Sequence, residues 1–264
     1  MATLTFRIVG IYYPTDQAIA MMYNLFNMLQ EEKKRLEDIG KTFTMESGLT
    51  KKVEKYFVEK LIVDLGPGQT LEVGCADGYL AKKLARFTTH ITGIDGSRKL
   101  INKAKKRKIK NATFIYCLFE EYSPEIKFDY IILCDILEHV IDPINLLKMS
   151  KTWLKNNGKI LIISPNANSI HRQVGLLAGM IKDVHELNAT DLKVGHRRVY
   201  DSKILKKTIK KSGLGIVKED GFFLKPLSDS QLDKLSDEVI NAFYLIGDQV
   251  PYDLLALLYF VCKK

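Results

Sequence analysis

At 264 residues, 46% hydrophobic and 27% charged, the chain can bury one large core and has the composition of a soluble globular protein. No run approaches the roughly 18 uninterrupted apolar residues of a membrane-spanning helix; the longest candidates, Tyr130–Cys134 and Leu254–Cys262, fall far short. The N-terminus lacks a secretory pattern and the four cysteines form no Cys-x-x-Cys pair, so reduced thiols and a cytoplasmic location are expected.

The first 69 residues read as a helical cap or lid. Tyr12 and Tyr13 precede Pro14 in a loop-like stretch and are candidate acceptor contacts. Ile19, Met22, Tyr23, Phe26 and Leu29 then recur at helical spacing, with packing as the expected role of Phe26 and Leu29. A turn at Gly40 leads to a second helix near Lys51–Leu65. From Thr70 onward apolar runs alternate with helical segments, the signature of a parallel α/β sheet. The first run ends in Glu72-Val73-Gly74-Cys75-Ala76-Asp77-Gly78, and a helix starts near Tyr79. The spacing is acid-x-Gly-x-x-x-Gly, not the Gly-x-Gly-x-x-Gly that lets a backbone approach a pyrophosphate. Its carboxylate repels phosphate and suits a cationic ligand.

A second run, from His90, ends in Asp95-Gly96-Ser97. Asp95 lies 17 residues after Gly78, near the roughly 20-residue offset at which an acid meets a ribose in dinucleotide folds; the competing role is a helix N-cap, for which Ser97 also qualifies. Ala112–Cys117 leads to Leu118 and Phe119, and Phe128–Asp135 leads to Leu137-Glu138-His139-Val140. Lys155-Asn156-Asn157-Gly158 forms a turn into a fifth strand, Ile160–Pro165. Helices are expected over roughly 79–87, 97–107, 143–155, 201–212 and 229–245, a sixth strand from Leu214 and a last one over Leu257–Cys262. Clusters of Lys and Arg over 98–110 and 203–211 contribute to the formal charge of +9; they read as solvated helix faces, with a nucleic acid or acidic partner as the competing reading.

These five ordered motifs over residues 70–165 resemble those of class I S-adenosylmethionine-dependent methyltransferases, and the Leu-Glu-His-Val run is most similar to the ubiquinone O-methyltransferase-like small-molecule branch. The resemblance implies a doubly wound, mostly parallel seven-stranded sheet over 70–264, with an N-terminal helical cap and an insertion, 166–200, after strand five. It implies S-adenosylmethionine as cofactor, with Glu72, Gly74, Cys75, Ala76, Gly78, Asp95, Gly96, Ser97, Cys117, Leu118, Phe119 and Asp135 at its site. Some enzymes of that branch hold a divalent metal with acidic residues and the histidine of this run. The matching positions here are Asp135, Glu138 and His139, with Asp135 shorter than the glutamate expected, and no metal is assigned.

The insertion reaches the acceptor side and carries three of the five histidines. His139, His171 and His196 are the candidate proton acceptors, and Arg172 and Arg198 the candidate binders of an anionic acceptor. The alternative is a surface excursion whose polar groups satisfy its own backbone. The expected function is methyl transfer to an oxygen or nitrogen of a small molecule, natural-product intermediate or peptide. RNA or protein methylation and a non-catalytic cofactor-binding scaffold are the alternatives. A nucleic-acid partner is not expected, because no aromatic residues interleave with the basic ones beside the motifs.

Overall fold

The structure, a computed structural model, describes residues 6–8, 11–13, 15–43 and 48–264, without side chains before Asp16 or at 17, 18 and 42. Strands β1 (Phe6–Ile8) and β2 (Ile11–Tyr13) pair as an antiparallel hairpin where the sequence suggested a loop; the side chains of Tyr12 and Tyr13 lie outside the described residues. Helix α1 (Thr15–Thr42) follows, then α2 (Gly48–Ile62).

The alternating framework comprises β3 (Gln69–Val73), α3 (Tyr79–Leu84), β4 (His90–Asp95), α4 (Arg98–Lys106), β5 (Ala112–Tyr116), β6 (Phe128–Cys134), α5 (Pro143–Trp153) and β7 (Leu154–Pro165). The insertion holds α6 (Ile170–Leu177) and α7 (Ala189–Val194). The chain ends with α8 (Ser202–Lys211), β8 (Gly215–Phe222), α9 (Asp229–Leu232), α10 (Asp237–Leu245) and β9 (Leu257–Lys263). Seven strands form one sheet in the order β5-β4-β3-β6-β7-β9-β8. The first five in that order are mutually parallel, and β9 lies antiparallel between β7 and β8. The expected doubly wound, mostly parallel architecture is present.

Period-two burial explains why the sheet is covered on both faces. In β7, Ile160 and Ile162 pack with Trp153, Leu205 and Ile209 of α5 and α8, whereas Leu161 and Ile163 face the cluster of Tyr56 and Leu61 from α2. β9 repeats the pattern, with Leu258 and Phe260 on one side and Tyr259 and Val261 on the other. Tyr56 stacks on Tyr244, with ring centroids 3.9 Å apart.

Several expectations shift. Helix α2 contributes Leu49, Val53, Tyr56, Phe57, Val58 and Leu61 to the buried cluster it shares with β7 and β9. Phe26, expected to pack, is 59% exposed, as are most neighbours on its stripe. At ~1.5 Å per residue α1 is about 42 Å long, and its hydrogen bonds to the turn after β5 and to the start of α4 come from its C-terminal half. The turn at 155–158 survives as a register break inside β7, between the pairs Phe128/Leu154 and Tyr130/Lys159. The helix expected over 229–245 is interrupted before Ser236, which restarts it as α10. Among the described residues no helix is long and apolar enough to cross a membrane.

Candidate functional site

Strand order reverses at β3, and a ligand crevice belongs beyond the carboxyl ends of the strands at such a switch point. A groove opens there, lined by Val73 and Gly74 after β3, by Asp95 and Gly96 after β4, by Cys117, Leu118 and Phe119 after β5, and by Ile136 and His139 after β6. A larger hollow of about 530 Å³ lies elsewhere, among Lys127, Asp129, Lys155 and Lys159, at the opposite strand ends.

Asp95 organises one wall of the groove. Its two carboxylate oxygens accept the Ala76 N–H (2.9 Å) and the Ser97 N–H (2.8 Å), tying together the turns after β3 and β4. Burial lifts its pKa from the ordinary carboxylate value to about 6, against the pull of those two hydrogen bonds. Ser97 is the N-cap of α4, so the two readings of this pair divide between the residues: Ser97 caps and Asp95 faces the groove. Gly74 has φ +76°, and a Cβ there would stand 2.7 Å from Ile136 Cδ1. Gly78 is also left-handed, but its Cβ would strike Ala104 and Phe114, so this glycine admits close packing of α4 and β5.

Of the twelve residues expected at the cofactor, Gly74, Asp95, Gly96, Cys117, Leu118 and Phe119 line the groove. Glu72, Cys75, Ala76, Gly78, Ser97 and Asp135 do not, and shape it from behind. Glu72 is 3% exposed, and its Oε2 has no hydrogen-bond partner. Burial, then the charges of Asp95 and Asp77, push its pKa well up. Such a carboxylate ionises readily only beside a cation. Glu120 also lines the groove, with a buried unpartnered Oε2 and a pKa raised by burial to about 7. The sequence reading missed it, although it directly follows Phe119.

The other wall comes from remote segments. Helix α1 lies across the groove mouth, with Glu32, Arg35 and Leu36 in the lining. Glu37 accepts from Ser97 Oγ and from the Arg98 N–H, at the N-terminus of α4. With α1 in this position the groove holds about 60 Å³, and Leu36 packs so closely on Gly96 that a Cβ there would stand 2.4 Å from Leu36 Cδ1. An N-terminal helix over the groove is what the sequence led one to expect; the residues by which it does so, Glu32, Arg35 and Leu36, were not singled out.

Glu138, His139 and His196 converge, with ligand atoms all within 4.8 Å of one another. Arg197 N–H bonds the Glu138 carbonyl, and the side chains of Arg35 and Arg197 both donate to the His139 carbonyl while sharing Glu32. Gly195 ends α7 with φ +89°, and a Cβ there would strike Ile39 Cδ1 at 2.5 Å, so glycine lets α1 press on the insertion and aims His196 back at His139. Burial, then the charge of His196, pushes the His139 pKa down to about 3. It is a neutral imidazole at physiological pH and a weak base. Asp135 has φ +48° and a buried unpartnered Oδ1; burial raises its pKa to about 7.

The remaining acceptor-side expectations fare differently. Arg172 is buried and engaged with Asp191 (3.2 Å) and with the carbonyls of Val184 and Glu186; Arg198 donates to the carbonyls of Leu137, Val140 and Ile141. The Arg172 fork is taken up within the insertion, whereas Arg198 ties the insertion to the segment after β6. His171 bonds Ser169 and is outside both the groove lining and the His139 cluster.

Known proteins agree with this geometry. Ubiquinone biosynthesis O-methyltransferases are similar: the one from Bradyrhizobium diazoefficiens is 32% identical over 107 residues, covering 39% of this chain and 42% of the relative. The one from Pasteurella multocida is 27% identical over 160 residues, covering 53% and 66%. The chain thus spans less than two thirds of the length of these relatives. Among solved structures, the complex of DhpI, SAM and HEP aligns over 91% of this chain and 97% of its own at TM-score 0.57 and 15% identity. The N-methyltransferase NodS of Bradyrhizobium japonicum, bound to S-adenosyl-L-homocysteine, aligns over 90% and 97% at TM-score 0.55 and 15% identity. Residues 45–219 match the family model described as a methyltransferase domain. The chain belongs to the methyltransferase domain family and has the class I S-adenosylmethionine-dependent methyltransferase fold.

Proposed function

We propose that this chain transfers a methyl group from S-adenosylmethionine to a hydroxyl oxygen of a small, largely apolar acceptor. The observation that carries the reading is Asp95: a carboxylate at the strand end, braced by two turns and facing the groove, is built to accept both hydroxyls of a ribose. The unpartnered oxygen of Glu72 suits an ammonium group on the far side of the Gly74 turn, and that of Glu120 suits the exocyclic amine of adenine. The cofactor, when bound, supplies a methyl already activated by its sulfonium. Leu118 and Phe119 provide an apolar seat for a base, and Ile136, Val140 and Ile141 give the acceptor end an apolar wall. Closure of α1 excludes water and holds the reactants in line, where positioning contributes ~7–11 kcal/mol. Oxygen is favoured over nitrogen because the similar curated enzymes are O-methyltransferases.

Calorimetry with S-adenosyl-L-homocysteine, followed by a methyl-transfer assay on phenols with and without apolar tails, tests this. Stoichiometric binding with turnover on the tailed phenols is expected. Binding without turnover on any phenol would remove the acceptor class, and absence of binding would remove the cofactor.

A further inference from the structure

We propose that Glu138, His139 and His196 bind a divalent transition-metal ion of the zinc or cobalt class. The site follows from what each side chain already has around it. Glu138 is 1% exposed; Ser164 Oγ donates to its Oε2 at 3.3 Å, while its Oε1 has no partner. His196 turns Nδ1 toward Asp191 Oδ1 at 3.2 Å, which leaves Nε2 for another ligand. The His139 ring packs edge-on against that of His196, with centroids 4.7 Å apart. Metal-binding imidazoles have the arrangement of His196, in which one nitrogen ligates and the other is fixed by a carboxylate or carbonyl. Asp191 is fixed in turn by Arg172 and by a reciprocal pair of hydrogen bonds with Asn188. The buried arginine of the insertion thereby acts at one remove on the orientation of His196.

The ligand set differs from the one that sequence resemblance suggests. Asp135 is not among the three converging residues and His196 takes its place, delivered from 57 residues beyond His139 by the end of α7. That exchange alters the chemistry. Two neutral nitrogens and one carboxylate suit zinc, cobalt or manganese, whereas magnesium demands oxygen ligands and keeps its waters. The spread of up to 4.8 Å closes by small side-chain rotations to the ~3.5 Å separations of a tetrahedral site. Three protein ligands leave a position open, and an acceptor hydroxyl bound there would lose its proton more easily. That role rests on the methyl-transfer reading; the binding of the ion does not.

Titration of the full, chelator-stripped chain with Co²⁺, followed by visible absorption and calorimetry, tests the site. Wild type is expected to take one Co²⁺ per chain with d–d bands of nitrogen and oxygen ligation, and to bind Mg²⁺ at least about 100-fold more weakly. His196→Ala and Glu138→Gln should weaken Co²⁺ at least about tenfold, and Asp191→Asn about 10–100-fold, each with S-adenosyl-L-homocysteine affinity unchanged. Glu138→Gln preserves side-chain shape and carries the test should His196→Ala fail to fold. Absence of stoichiometric Co²⁺, a thiolate charge-transfer band, or wild-type affinity in the folded variants would overturn the site. None of these outcomes touches cofactor binding, which the homocysteine titration reads separately.

Discussion

The two walls of the groove are assembled over very different chain distances. On the cofactor side Asp95 reaches Ala76, 19 residues back, and Ser97, two residues on. On the acceptor side Arg35 reaches the Gly195 carbonyl across 160 residues, and His139 meets His196 between segments that share no strand. The near wall is thus a property of two adjacent strand ends. The far wall exists only once α1 and the insertion have docked, so it can be altered while the cofactor cradle stays intact.

Breaking the near wall should have the largest effect. Gly74→Arg places a side chain at φ +76°, where even a Cβ meets Ile136. Calorimetry should show S-adenosyl-L-homocysteine affinity reduced ~1,000-fold or more in a chain that remains folded by circular dichroism; wild-type affinity would dissociate the cofactor from this turn. On the far wall, His139→Ala removes part of the surface that positions the acceptor and should lower turnover about 10²-fold with cofactor affinity within about threefold. An equal loss of both would show that the walls do not act separately.

A titration of Asp95 sharpens the contrast. Its pKa of about 6 leaves it ionised above that pH, able to accept two ribose hydroxyls. The affinity for S-adenosyl-L-homocysteine should therefore be flat above pH 6 and fall by up to about tenfold per unit below it. The sign for folding is the reverse: a raised carboxyl pKa costs stability as pH climbs from ~4 to ~6, and nothing more beyond. An affinity that rises on acidification would exclude Asp95 as the ribose acceptor. The smallest effect is expected at the clasp. Glu37→Ala removes the acceptor at the α4 N-terminus, which should cost about 1 kcal/mol and ~3 °C in Tm. It should also speed ligand association measured by stopped flow, because α1 lifts more easily.

Much of the near wall was legible in the primary structure. Competition between Asp95 and Ser97 for the cap is decided within three residues, and both candidates were visible there. The acid-glycine turn after β3 and the lone acid after β4 follow from strand periodicity and turn chemistry, both local. The far wall was legible only as a set of names. His139 and His196 could be singled out, but their convergence depends on Gly195 and on the pressure of Ile39 against it. Arg172 and Arg198 have the fork that recognises anions, and only the fold shows those forks committed to carbonyls. The apolar stripe of α1 has the periodicity of a packing face, but α1 overruns the surface it crosses and Phe26 stays exposed.

Sequence by itself determined the alternation of strands and helices over residues 70–165, the acidic glycine turn and the carboxylate of the neighbouring strand, since each arises from interactions within about twenty residues. Tertiary structure alone decided which histidines face each other and which arginines are taken up by backbone carbonyls. Those outcomes depend on which distant surfaces meet when the chain closes on itself, and no local pattern encodes that.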